Sequence, residues 1–156
     1  MFTQARFFIR TALIHLLAAF IAGAALLINQ GLALGSWVGV LLPTFYHLLM
    51  VGWVTQLICG VALWMFPALS REQPRGPSWM GWATYAGLNA GLLLRVIAEP
   101  IHTLAPSGWS GVLLILSAVL QVGAIWIFVL AIWPRVKGPR AARPRTSAEN
   151  PRGDTK

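Results

Sequence analysis

The stretch HLLMVGWVTQLICGVALWMFP, residues 47 to 67, decides the fold, because it is almost wholly apolar. An α-helix needs about 20 apolar residues to cross the hydrocarbon core of a bilayer, which is about 30 Å thick. The run therefore predicts a membrane-spanning helix. It also places a titratable ring, His47, at its start, and an imidazole in hydrocarbon requires a partner.

The composition of the whole chain agrees with this reading. Hydrophobic residues make up 57% of the 156 residues, and charged residues only 10%, against about 25% in soluble domains. The mean hydropathy is +0.69. Twelve Lys or Arg face four Asp or Glu, a net charge of +8. Seven of the basic residues follow Trp133, so the charge flanks the apolar runs, which favours a lipid bilayer over nucleic acid as the partner.

The sequence predicts an all-α, polytopic membrane protein, a bundle of four transmembrane helices in residues 1–133. In lipid every backbone polar group needs an internal partner, so each span is expected to be a helix. The lone cysteine excludes an intramolecular disulfide. The four predicted spans are Phe7–Ile28, Val38–Phe66, Met80–Glu99 and Val112–Trp133.

The distribution of Lys and Arg predicts the orientation of the chain. Arg6 and Arg10 precede the first span, Arg71 and Arg75 lie in the second joint, and the first and third joints carry none. The positive-inside rule then places both termini in the cytoplasm, in an inner (cell) membrane of the bacterial type. Residues 134–156 are predicted to form a disordered basic tail. It fixes the topology or, alternatively, attracts anionic lipid.

Ionisable residues inside membrane spans mark functional-site hypotheses. Three lie within the spans, His15, His47 and Arg95, and two more, Glu99 and His102, lie nearer the outer surface. For His47 two interpretations stand side by side. The ring makes an interhelical hydrogen bond, or it ligates haem iron.

Arg95 and Glu99 are spaced i, i+4, so they are predicted to pair and to lower the cost of burying the guanidinium. The pair is either a structural tie between helices or part of an anion site for a haem propionate or a quinone head group. Gly52 and Gly60 also carry two interpretations. They allow a close approach of helices, or they leave room beside a flat cofactor.

The pattern His-x4-Gly-x7-Gly-x6-Pro, from His47 to Pro67, resembles the second transmembrane helix of the haem–copper oxidase subunit I superfamily. The likeness extends to NnrS-type proteins of the nitric-oxide response and to small four-helix relatives. The matching runs are HLLMVGW, GVALWMFP and LNAGLLLRVIAEP.

The resemblance implies that His47 ligates b-type haem, with Arg95, Gly52 and Gly60 in the cofactor site. Small relatives often carry a second His two residues before the first, where this chain has Phe45. A second axial ligand would then come from His15, from His102 or from His47 of a second copy, unless the iron has only one. The chain has no His cluster for copper, which argues against a complete oxidase.

Two functional hypotheses follow. The first is a haem protein related to a piece of oxidase subunit I, serving electron transfer in a respiratory chain or a response to nitric oxide or oxygen. The second is a haem-free accessory or assembly protein of a respiratory membrane complex. Beside the bilayer, a homo-oligomer or respiratory-complex subunits are the expected partners. A small transporter is disfavoured, since the sequence shows no paired inverted repeats.

Overall fold

In the computed structural model, which describes residues 3–33, 35–66 and 77–136, the chain forms four long helices. They are α1 (Thr3–Leu32), α2 (Ser36–Met65), α3 (Ser78–Leu104) and α4 (Gly108–Val136). The predicted all-α class is confirmed for these residues. Residues 137–156 of the predicted tail, and residues 67–76 between α2 and α3, lie outside the described residues.

Three of the helices, α1, α2 and α4, are long and apolar enough to cross a membrane by length and composition. Helix α3 has 27 residues and is long enough, but polar side chains such as Asn89, Arg95 and Glu99 make it less apolar. The three apolar helices are typical of a membrane protein. That α3 also crosses the bilayer stays a prediction.

Two helices run past the prolines at which the sequence predicted their ends. Helix α3 continues through Pro100 to Leu104, and α4 continues through Pro134 to Val136. Proline removes one i→i−4 hydrogen bond and disfavours helix in the residue before it. Both prolines lie in the last two turns of their helices, where little helix follows the lost bond.

Helix α2 changes its winding along its length. A 3₁₀ segment, Ser36–Val40, leads into an α segment, Leu41–His47, which is followed by a π segment, Leu48–Thr55, and a second α segment, Gln56–Met65. Within the π segment the Thr55 hydroxyl donates to the carbonyl of Met50 at 2.8 Å. Since π-helical turns are rare and concentrate at functional sites, the position of His47 directly before one is notable.

The four helices are arranged with α2 and α3 in the middle, α1 along α2 and α4 along α3. Small residues bring each outer helix close. A Cβ atom added at Gly52 would lie 2.8 Å from the Cβ of His15, and one at Gly60 would lie 2.9 Å from the Cβ of Phe8. Gly87, with its Cβ position 2.9 Å from that of Ala124, does the same between α3 and α4. In lipid such close contact is a principal source of helix association.

Arg135 ties the end of α4 to the end of α2. Its side chain is buried, and Nη2 donates to the carbonyl oxygens of Leu63 at 3.2 Å and Phe66 at 2.6 Å. The last carbonyls of a helix have no partner within it. Arg135, which the sequence placed in the basic tail, therefore caps α2 across the bundle.

Two apolar clusters fill the interior, and polar groups lie between them. One cluster is built around Phe8, Leu63 and Leu88, and the other around Leu48 and Leu92. The segments that join the two clusters along α1, α2 and α3 carry His15, Gln56 and Asn89, whereas His47, Arg95 and Glu99 lie beyond the second cluster.

Candidate functional site

One ring nitrogen of His47 is hydrogen-bonded, and the other has no partner among the described residues. Its Nδ1 lies 2.8 Å from the carbonyl oxygen of Pro43. A carbonyl oxygen can only accept, so Nδ1 carries the proton and donates, and in the neutral ring Nε2 carries the lone pair. Among residues 3–33, 35–66 and 77–136, Nε2 has no hydrogen-bond partner, and the side chain is 28% exposed. The ring therefore presents an unused basic nitrogen.

Glu99 of α3 lies beside this ring and joins it to an arginine. Its Oε2 is 3.2 Å from Nδ1 of His47, and its Oε1 is 3.7 Å from Nη1 of Arg95. Oε2 is buried and has no hydrogen bond among the described atoms, since the Nδ1 proton is given to Pro43. We call His47, Arg95 and Glu99 the charged triad. With neutral His47, its one negative and one positive charge cancel.

Arg95 also forms a hydrogen bond to α4. Its Nε donates to the hydroxyl of Ser117 at 3.3 Å, and that hydroxyl donates to the carbonyl of Gly91 at 2.6 Å. The guanidinium is thus placed between Glu99 and Ser117. The predicted i, i+4 contact between Arg95 and Glu99 is present, and Glu99 in turn contacts His47.

Of the residues predicted to form a haem site, His47 has the hydrogen bonding of an iron ligand, whereas Gly52 and Gly60 have no free space beside them. A haem-binding or metal-binding histidine usually donates its other ring N–H to a carbonyl or carboxylate, as His47 does to Pro43. The space beside Gly52 and Gly60 is instead filled by His15 and Phe8 of α1. These glycines therefore provide close helix packing and leave no room for a flat ring at those two positions.

A second polar group, the amide cluster, consists of His15, Gln56 and Asn89. The two amides form a reciprocal pair, with Nε2 of Gln56 donating to Asn89 at 3.2 Å and Nδ2 of Asn89 donating to Gln56 at 3.3 Å. Nδ1 of His15 lies 3.2 Å from the Gly52 carbonyl and 3.3 Å from Nε2 of Gln56. The cluster joins α1, α2 and α3 in the interior.

The other two predicted iron ligands lie in separate surroundings. His15 belongs to the amide cluster, and Nδ1 of His102 lies 2.8 Å from the hydroxyl of Ser110 at the start of α4. In the described part of the chain, no hydrogen bond or ion pair joins His15 or His102 to the charged triad. Nor does that part contain a group of three or more His, Cys, Asp or Glu that could hold a metal ion.

Sequence reasoning missed Gln56, Asn89, Ser117 and Gln121, which supply many of the buried hydrogen bonds. It searched the spans for ionisable groups only, although an amide in hydrocarbon also needs a partner. Gln56 lies within residues 47–67, and Asn89 lies in the run LNAGLLLRVIAEP. A search for every polar side chain in a span would have found them.

The charged triad and the amide cluster are thus defined by their geometry. No protein-family model, no curated protein and no solved structure matches this chain. The similarity of residues 47–67 to the haem–copper oxidase superfamily therefore stays a prediction.

Proposed function

We propose that this chain is a membrane protein that binds b-type haem through Nε2 of His47, for electron transfer or for a response to nitric oxide or oxygen. One observation carries the proposal. The Pro43 carbonyl holds the Nδ1 proton, and the lone pair of Nε2 has no partner among the described residues. Neutral imidazole with one nitrogen fixed in this way is a common ligand of haem iron.

The neighbours of His47 have separate parts in this proposal. The Pro43 carbonyl selects the tautomer, and the carboxylate of Glu99, 3.2 Å from Nδ1, adds negative charge that makes the ring a stronger donor to a metal. Arg95 balances that carboxylate. When bound, haem supplies electron transfer and a site for diatomic gases. The face for it is the exposed side of His47, away from Gly52 and Gly60.

A haem-free accessory or assembly protein is the second candidate, and the charged triad also favours it. The contacts of Glu99 with His47 and of Arg95 with Ser117 link α2, α3 and α4. A tie of this kind stabilises a bundle without any cofactor. The two candidates differ in whether Nε2 of His47 takes a ligand.

An absorption spectrum of the protein, purified from haem-replete cells, distinguishes the two candidates. We expect a Soret band that shifts on reduction with dithionite, and its loss in His47→Ala, because the iron loses its nitrogen. The measurement is haem content per folded protein. Tyr46→Ala, which removes an exposed ring from the neighbouring position, is the matched control and should keep the haem. A colourless wild-type protein, or equal haem in wild type and His47→Ala, contradicts haem binding at His47.

The proposal includes four membrane crossings, with both termini in the cytoplasm of a bacterial-type cell. It is supported by the absence of Lys and Arg from residues 29–37 and 100–111 and by their presence at the other ends. Ser107→Cys should react with an impermeant thiol reagent added from outside, and Ser147→Cys should not. Native Cys59 is buried and should stay unlabelled. The reverse labelling pattern would contradict this orientation.

A further inference from the structure

Helix α4 packs along α3 but diverges from α2, and the divergence leaves a cleft of about 250 Å³. Leu88 of α3 lies at its base. Val51 and Thr55 of the π segment form one wall, and Gln121, Val122 and Trp126 of α4 form the other. Val122 and Trp126 are largely exposed, so in a bilayer the cleft opens toward lipid. By contrast, α1 packs directly against α2 at Gly52 and Gly60.

Two oxygen atoms of the cleft, in Gln121 and Thr55, are available to accept a hydrogen bond. Ser117 gives its only proton to Gly91, so the contact between Gln121 and Ser117, 3.2 Å long, must be a donation from the amide nitrogen. That fixes the orientation of the amide and leaves its oxygen without a partner in the described part of the chain. The Thr55 proton is likewise committed to Met50, so the Thr55 oxygen can only accept a further bond.

An amide oxygen without a partner is costly in hydrocarbon, where no water replaces the missing donor. A ligand that satisfies it must reach the cleft through lipid and must carry a hydrogen-bond donor, such as a hydroxyl group. The volume is slightly below that of sites that enclose a drug-sized molecule, about 300–1,000 Å³, so it suits a single substituted ring whose tail stays in the bilayer. The apolar walls and Trp126 favour an aromatic ring.

From these observations we infer that the cleft between the π segment and α4 binds a membrane-dissolved quinol, through a hydrogen bond from a ring hydroxyl to the amide oxygen of Gln121. The site is linked to the charged triad, because Gln121 and Arg95 both donate to Ser117. The inference concerns binding alone and does not rest on haem at His47.

Binding of tritiated decylubiquinol, kept reduced under argon, tests this inference in a scintillation proximity assay on the full chain in lipid nanodiscs. We expect saturable binding that unlabelled decylubiquinol displaces. Its dimethyl ether, which has the same ring and tail but no proton to donate, should compete at least fivefold more weakly. Gln121→Leu should weaken binding about fivefold to tenfold, the change that the loss of one hydrogen bond produces.

Two matched variants locate the site. Val122→Trp fills the mouth of the cleft and should abolish saturable binding, whereas Val119→Trp places the same ring on α4 outside the cleft and should leave it unchanged. Both valines are about equally exposed, at 57% and 62%, so both variants should fold. Binding that does not saturate, equal competition by the ether, or equal loss in the two variants would overturn the inference.

Discussion

The charged triad and the amide cluster are both polar groups in apolar helices, yet they satisfy their hydrogen bonds differently. In the amide cluster, Gln56 and Asn89 exchange two hydrogen bonds, and Gln56 is fully buried. In the charged triad, Nε2 of His47 and Oε2 of Glu99 have no hydrogen bond within the described residues. The two amides of the first group satisfy each other, whereas the second group keeps a carboxylate oxygen and the Nε2 of His47 unused.

This difference separates a structural role from a candidate site. Neutral amides that pair with each other tie α2 to α3, and each satisfies the other rather than a ligand. An ion pair in a medium of low dielectric is costly unless it is well hydrogen-bonded, so a loosely bonded one needs another reason to exist. In this chain the reason we propose is the ligand on His47, which the position of Glu99 supports.

The largest expected effect comes from breaking the charged triad. Arg95→Leu leaves the carboxylate of Glu99 without its counter-charge, and we expect the free energy of unfolding to fall by about 3 kcal/mol. The double variant Arg95→Leu/Glu99→Leu should recover most of that loss, because removing a buried ion pair whole is often near neutral. Unfolding in mixed micelles with increasing dodecyl sulfate measures both values.

Arg10→Leu is the matched control, since Arg10 is exposed on α1 and its loss removes the same charge. It should change the free energy of unfolding by less than about 0.5 kcal/mol. A double variant as unstable as Arg95→Leu would show that the two residues do not stabilise each other. The Arg95–Glu99 pair could then not be compared with the amide cluster as a stabilising contact.

The helices could be predicted from the sequence because their signal is local. Long apolar runs and breaker residues near Ser36 and Ser78 place α1, α2 and the start of α3 within a few residues of their observed positions. The ends at Pro100 and Pro134 were less predictable, because a proline in the last two turns of a helix is followed by little helix, so the sequence alone does not tell whether the helix stops before it or shortly after it. No local feature of the sequence predicts the π segment after His47.

The site was predictable only in part. The contact of Arg95 with Glu99 follows from their spacing of four on one helix, which the sequence states directly. The contact of Glu99 with His47 depends on how α3 is rotated against α2, and the cleft depends on where α4 diverges. Both are set by packing at positions such as Gly52 and Gly87, and a single sequence does not give them.

The smaller expected effect comes from breaking the amide cluster. Gln56→Leu removes two hydrogen bonds between α2 and α3. Interhelical hydrogen bonds in membranes contribute on average about 0.6 kcal/mol each, so we expect a loss of about 1 kcal/mol in the same unfolding measurement. Since no net charge is left behind, the loss should stay well below that of Arg95→Leu, and haem content and quinol binding should not change.

The double variant Gln56→Leu/Asn89→Leu tests whether Gln56 and Asn89 stabilise the bundle through their mutual hydrogen bonds or only as separate polar groups. Asn89 keeps its hydrogen bond to the Tyr85 carbonyl, 2.8 Å long, after Gln56 is lost. Its amide therefore loses only part of its hydrogen bonding. We expect the second substitution to recover only a few tenths of a kcal/mol in the free energy of unfolding. Gln30→Leu, at an exposed glutamine near the end of α1, is the control and should be close to neutral. A loss for Gln56→Leu as large as that for Arg95→Leu would contradict the distinction between the two groups, because neutral amides would then stabilise the bundle as strongly as the ion pair.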